Sequence, residues 1–142
     1  EKATEIGISE ITPIITRQSE RKLINLERLN KIVVSALKQS AQFYIPLLND
    51  ITPLDKFMQE IREHNRYIAH CEYMDKKLLN NYLKPNEDCL ILIGPEGDFT
   101  REEISEAKLN NFKEISLGYN RLRTETAGIV ACHSFNLINT TF

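Results

Sequence analysis

An apolar strand that stops on Gly94-Pro95-Glu96-Gly97, with a helix start only three residues further on, constrains this chain more than any other feature. Cys89 to Ile93 is its most hydrophobic stretch, and a buried strand ending there delivers the chain to a loop whose backbone can approach a ligand closely. Thr100 then offers a helix N-cap. Glu102 and Glu103 put negative charge in the first turn, and Glu103 has capping-box spacing from Thr100, which predicts a helix to about Asn110. The arrangement recurs downstream. Glu114-Ile115-Ser116-Leu117 reads as a strand, Gly118 breaks it, and polar residues lead into a last, mostly apolar helix from about Thr124 to Ile138. Open α/β sheets bind ligands outside the carboxyl ends of their strands, so the two loops are expected to face one crevice.

The remaining elements follow from periodicity. The first residues read as the body of a helix ending near Gly7, with no start signal before them, so the chain is expected to begin inside a longer protein. Ile8 to Ile15 reads as a strand interrupted by Pro13, and Thr16 to Arg21 as a polar connection. Leu26, Leu29, Ile32, Val33, Ala36 and Leu37 recur at three and four, giving an amphipathic helix that ends around Ser40. Phe43 to Leu48 holds a short extended piece around Pro46. Thr52 and Pro53 then open a helix with Leu54, Phe57, Met58 and Ile61 on one side, and Arg66 to Cys71 reads as a strand. Asp75 to Leu83 reads as helical, and Pro85-Asn86 as a turn. Strands alternating with helices predict a parallel sheet with helices on both faces, and 142 residues suffice for one such domain.

Charge and cysteine usage narrow the function classes. A net charge of −2 gives no bulk attraction to nucleic acid, so any RNA contact must be local or supplied by another part of the protein. Arg17, Arg21, Lys22, Arg28, Lys31 and Lys38 could line up for phosphates, but Glu20 and Glu27 among them favour an ordinary solvated face. Cys71, Cys89 and Cys132 form no ligand cluster and read as small core residues in a reducing compartment. His64, His70 and His133 lack metal-ligand spacing, so no metal is expected. Neither a Walker loop nor a dinucleotide fingerprint is present. No apolar run nears the roughly 20 residues that span a bilayer, and the protein is expected to be soluble and cytoplasmic.

Gly94-Pro95-Glu96-Gly97 with its helix start, paired with Leu117-Gly118 and Leu122-Arg123-Thr124-Glu125-Thr126-Ala127, resembles the ribosomal RNA small-subunit methyltransferase E family of the knotted SPOUT superfamily. Lys2-Ala3-Thr4-Glu5-Ile6-Gly7-Ile8, Gln39-Ser40 and Ile45-Pro46 extend the resemblance over nearly the whole chain. It implies an α/β trefoil knot across residues 1–142, a homodimer, and a target uridine N3 in 16S ribosomal RNA. It also implies S-adenosylmethionine held in a bent form between the loops. Family members usually carry a small β-barrel RNA-binding domain ahead of this point, and nothing in these residues corresponds to it. An inactive RNA- or nucleotide-binding module of the same fold, or a knotted enzyme acting on another RNA, are the alternatives.

By the same resemblance Ile93, Gly94, Pro95, Glu96, Gly97, Leu117, Gly118, Leu122, Arg123, Thr126 and Ala127 build the cofactor pocket, and His70 stands on its remaining wall. The plain alternative for His70 is a ring hydrogen-bonded at a strand end. Attack by uridine N3 on a sulfonium methyl needs the N3 proton removed, and a guanidinium near O2 or O4 stabilises the anion that develops, a role that falls to Arg123. Glu125 either accepts the proton or fixes Arg123 by a bidentate pair, the second being favoured. Three positions depart from the family pattern. Arg121 stands where a hydrophobic residue is usual, and Asp98 where a second glycine is, so that Asp98 could narrow the pocket or cap the next helix. Lys38 and Ala41 flank Gln39-Ser40 in place of the usual Glu and Arg.

Overall fold

The computed structural model describes residues 1–20, 22–72 and 75–140. The elements run α1 (Lys2–Ile6), β1 (Glu10–Ile11), β2 (Ile14–Ile15), α2 (Leu26–Ser40), β3 (Leu47–Leu48), β4 (Thr52–Pro53), α3 (Leu54–Glu60), β5 (Arg66–Ala69), β6 (Lys77–Leu78), β7 (Leu90–Ile93), α4 (Arg101–Leu109), β8 (Lys113–Ser116) and α5 (Thr124–Asn139). All strand pairs are parallel. β1 pairs with β3 and β2 with β4, while β5 to β8 form a four-stranded sheet in the order β6-β8-β5-β7. β8, formed late in the chain, thus lies between the two earlier strands β5 and β6.

Alternation along β5 sends side chains to two cores. Ile68 and Leu92 pack with Leu54 and Met58 of α3 and Ile104 and Ala107 of α4. On the other face Tyr67 and Ile115 meet Leu79 and Ala131 of α5. Helices therefore cover both faces of the parallel sheet, as the alternating pattern predicts. Each buried Ile, Leu or Met among them contributes about 1.5–3 kcal/mol by leaving water, which anchors the central strands. At the amino end, α1 packs against α2 and α5. The Asn136 side chain of α5 secures it by donating to the Ile6 carbonyl at 2.7 Å.

Local signals placed most boundaries well. α2 occupies Leu26–Ser40 with Asn25 as its N-cap, and α4 begins with both bonds of the predicted capping box. The predicted strand from Ile8 to Ile15 is two short strands separated at Thr12-Pro13, because the proline lacks a donor for the ladder. Thr52 and Pro53 belong to β4, and the helix they were expected to open starts one residue later. Asp75 to Leu83 is not a helix. Lys77 and Leu78 pair with Ile115 and Ser116 of β8, and only Leu79–Asn81 winds into a single 3-10 turn. Among the described residues no helix is long and apolar enough to cross a membrane.

Candidate functional site

β5, β7 and β8 lie side by side and parallel, so their carboxyl ends open on one edge of the sheet. The loop Gly94 to Thr100 leaves β7 there, and Leu117 to Arg123 leaves β8. The two are joined directly. Thr124, the first residue of α5, donates its hydroxyl to the Gly94 carbonyl at 2.9 Å. The start of α5, which follows the β8 loop, is thereby bonded to the first residue of the β7 loop. The motif places Thr124 within the pocket stretch Leu122 to Ala127, but its hydroxyl does not announce a partner 30 residues away.

The loop after β7 is compact. The Asp98 amide closes a turn onto the Pro95 carbonyl at 2.8 Å, and Asp98 itself sits at φ 66°. Gly97 abuts the turn that follows β2, where a Cβ would lie 2.9 Å from the Gln18 Cβ. Glu103 ties that turn down. Its buried carboxylate accepts from the Arg17 amide through Oε1 and from the Thr100 amide through Oε2, both at 2.8 Å. Thr100, not Asp98, caps α4, and the Asp98 carboxylate instead accepts the Cys71 and Phe99 amides. Reading Asp98 as a helix cap is thereby corrected.

The loop after β8 is open. Gly118 adopts φ 142°, a conformation that L side chains rarely take, and a Cβ on it would meet nothing within 4 Å. The Ser116 hydroxyl holds this turn, donating to the Gly118 carbonyl at 2.8 Å and accepting from its amide at 3.2 Å. Leu117 and Leu122 are half-buried, Ala127 is buried, and Tyr119, Arg121, Arg123, Glu125 and Thr126 are exposed. Arg123 and Glu125 are not joined by a salt bridge among the described residues, so the bidentate pairing favoured from the sequence is absent in this conformation. Glu96 and Gly97 are exposed, while Ile93, Gly94 and Pro95 are half-buried. Apolar walls with accessible backbone between them suit a planar heterocycle carrying hydrogen-bonding edges.

His70 lies at the end of β5, but its ring does not face the crevice. The side chain is fully buried, with Nε2 3.1 Å from Glu114 Oε1 and Nδ1 3.3 Å from Lys76 Nζ. An ammonium only donates, so Nδ1 must accept and the proton resides on Nε2, donated to Glu114. Burial, and then Lys76, push the imidazole pKa below its ordinary value and keep it neutral. Lys76 also bonds the His70 carbonyl, and its own pKa is lowered by burial. Partial burial works to raise the Glu114 pKa, yet the Lys108 ammonium at 2.9 Å and the His70 ring hold it low. The plain alternative for His70, a hydrogen-bonded ring at a strand end, describes its side chain. Cys71, next in the chain, is exposed rather than a core residue, whereas burial pushes Cys89 up to about 11 and raises Cys132 as well.

Concavity alone points elsewhere. A cleft of about 600 Å³ lined by Arg62, Glu63, His64, Asn65, Glu87 and Asp88 sits at the amino ends of β5 and β7. The topology favours the carboxyl edge, where the loops meet.

The RNA methyltransferase domain family matches residues 1–136. Over 138 residues the chain is 35% identical to the ribosomal RNA small subunit methyltransferase E of Rickettsia conorii, an alignment covering 96% of this chain and 57% of that protein. A probable rRNA-methyltransferase from Porphyromonas gingivalis superposes with a TM-score of 0.91 at 38% identity, over 97% of this chain and 59% of the other. The ribosomal RNA small subunit methyltransferase E of Neisseria gonorrhoeae, solved bound to S-adenosyl methionine, superposes with a TM-score of 0.84 at 29% identity, over 97% and 58% of the two chains. The chain spans a little over half the length of these relatives.

Proposed function

This chain belongs to the RNA methyltransferase domain family, and from that premise we propose that residues 1–142 are the catalytic domain of an S-adenosylmethionine-dependent enzyme that methylates N3 of a uridine in 16S ribosomal RNA. The observation that supports this reading is the Thr124–Gly94 bond, which joins two motif-bearing segments at the carboxyl edge of the sheet. S-adenosylmethionine, when bound, supplies an electrophilic sulfonium methyl. The half-buried Ile93, Leu117 and Leu122 would flank its adenine, with backbone groups of Gly94 to Gly97 and Gly118 reading the ring edge. His70 would contribute to that wall through its backbone, since its ring is engaged with Glu114 and Lys76.

Arg123 and Glu125 are exposed at the start of α5, free to turn toward a base extruded from RNA. Transfer forms the N3–methyl bond and breaks the sulfur–methyl bond while the N3 proton leaves to a base. Arg123 would stabilise the charge that develops on the uracil carbonyls. With no carboxylate on Arg123 among the described residues, Glu125 is the nearest acid in sequence to take the proton, directly or through water. Thr126 and Ala127 continue the wall along the first turn of α5.

The same reading includes a trefoil knot and a homodimer. Supporting the knot, β8 enters between two strands formed earlier, after which α5 packs against β7 and the Leu79–Asn81 turn. Supporting the dimer, α5 carries Ile129, Val130, Phe135 and Ile138 only half-buried and Leu137 60% exposed, an apolar surface that a second copy would cover. A cytoplasmic location follows from a ribosomal RNA substrate. Mass spectrometry of nucleosides from small-subunit RNA, incubated with the full-length protein and labelled cofactor, tests the reading. Labelled 3-methyluridine is expected, and label in any other nucleoside, or in none, overturns it.

A further inference from the structure

We infer that Asp98 is a positioning residue, a clamp that locks the carboxyl end of β5 to the loop after β7 and so shapes the cofactor pocket before ligand arrives. The inference rests on the function proposed above. Asp98 stands where glycine is expected from the motif, and it occupies the left-handed backbone region that glycine tolerates best, at φ 66°. Aspartate is among the few other residues that accept this geometry. What it adds is a carboxylate with both oxygens committed. Oδ2 accepts the Cys71 amide at 2.7 Å across the gap to β5, and Oδ1 accepts the Phe99 amide at 2.8 Å. Hydrogen bonds from backbone amides to an ionised carboxylate are stronger than neutral ones, so the clamp outweighs an ordinary turn contact.

Its position makes it a hub. A Cβ on Gly94 would lie 3.1 Å from Asp98 Oδ1, so a side chain there would press the carboxylate aside by a few tenths of an ångström. Gly94 in turn accepts from Thr124, which leads α5 away from the β8 loop. Cys71 follows His70, whose ring bonds Glu114 on β8. Asp98 thus connects the carboxyl ends of the adjacent strands β5 and β7. At the exposed rim Arg101 Nε meets Glu72 at 2.6 Å, joining the same two segments a second time. The glycine of the family pattern could reach the same backbone shape but would leave the Cys71 amide without this acceptor.

Asp98→Gly and Asp98→Asn in the full-length protein test the clamp. Glycine keeps the left-handed backbone and removes both bonds, whereas asparagine has a single acceptor oxygen and can keep one. Amide exchange in the ligand-free protein, followed by NMR, should accelerate at Cys71 and Phe99 in Asp98→Gly by about tenfold or more, with a smaller change in Asp98→Asn. Calorimetric titration should show S-adenosylmethionine binding weakened about tenfold in the glycine variant and less in the asparagine variant, with nearly unchanged melting temperatures. Unchanged Cys71 exchange, or unchanged affinity, overturns the proposal. A fall in melting temperature matching the loss of affinity makes Asp98 a general stabilising residue and also overturns it. If the glycine variant does not fold, the asparagine variant decides by the same two readouts. A wild-type protein that does not bind the cofactor removes the functional reading instead, while exchange at Cys71 still judges the clamp.

Discussion

At the scale of single residues, the proposed site depends on what Arg123 can reach and what Gly97 leaves out. Arg123 is exposed and carries no carboxylate among the described residues, so its guanidinium is available for a developing charge rather than occupied in holding the loop. Arg123→Ala should abolish methyl transfer while cofactor affinity stays within about a few fold, measured by single-turnover kinetics beside calorimetry. Parallel loss of both makes Arg123 a structural residue. Gly97→Ala should cost about 1–3 kcal/mol in denaturant unfolding, because the added methyl would lie 2.9 Å from Gln18 Cβ. A stability equal to wild type shows that the turn yields freely. The motifs that define the proposed site were legible in the sequence because residue types and spacing carry the signal. Gln18, Cys71 and Glu114 were not, since each acts through a partner at least 27 residues away, as Cys71 does with Asp98.

Among elements, legibility followed the range of the determining interaction. The capping box of α4 is written within four residues, Thr100 to Glu103, and was read correctly. β6 was misread as helix because Lys77 and Leu78 take their conformation from β8, a strand formed later in the chain. The buried cluster under β5 and β8 gives the sheet a pH dependence. Burial and Lys76 keep the folded His70 pKa low, so as pH falls through about 6.5 the unfolded chain takes up a proton that the folded ring refuses. Stability declines in that window and levels off once the folded ring protonates. Glu114, held low chiefly by Lys108 against the effect of burial, adds a second loss at more acid pH as its own folded value is crossed. Melting temperature should fall from about pH 7.5 to 5.5, and His70→Gln should flatten that interval. An equal slope in the variant assigns the effect to other groups.

For the whole molecule, the sheet order places the two motif-bearing loops, and the order depends on β8 entering between β5 and β6. Parallel α/β architecture was legible from the alternation of elements. The order of strands was not, because no local pattern records which neighbour a strand will choose. The proposed homodimer predicts twice the chain mass in sedimentation equilibrium, with Leu137→Glu shifting the protein toward monomer. A monomeric wild type contradicts it. The proposed function requires one ligand lying between the loops after β7 and β8, and amide exchange measured with and without S-adenosylmethionine tests this most directly. Protection is expected together at Gly94 to Gly97 and at Leu117 to Thr126; protection instead at the Arg62 to Asn65 and Glu87 to Asp88 cleft, or at only one of the two loops, would contradict it.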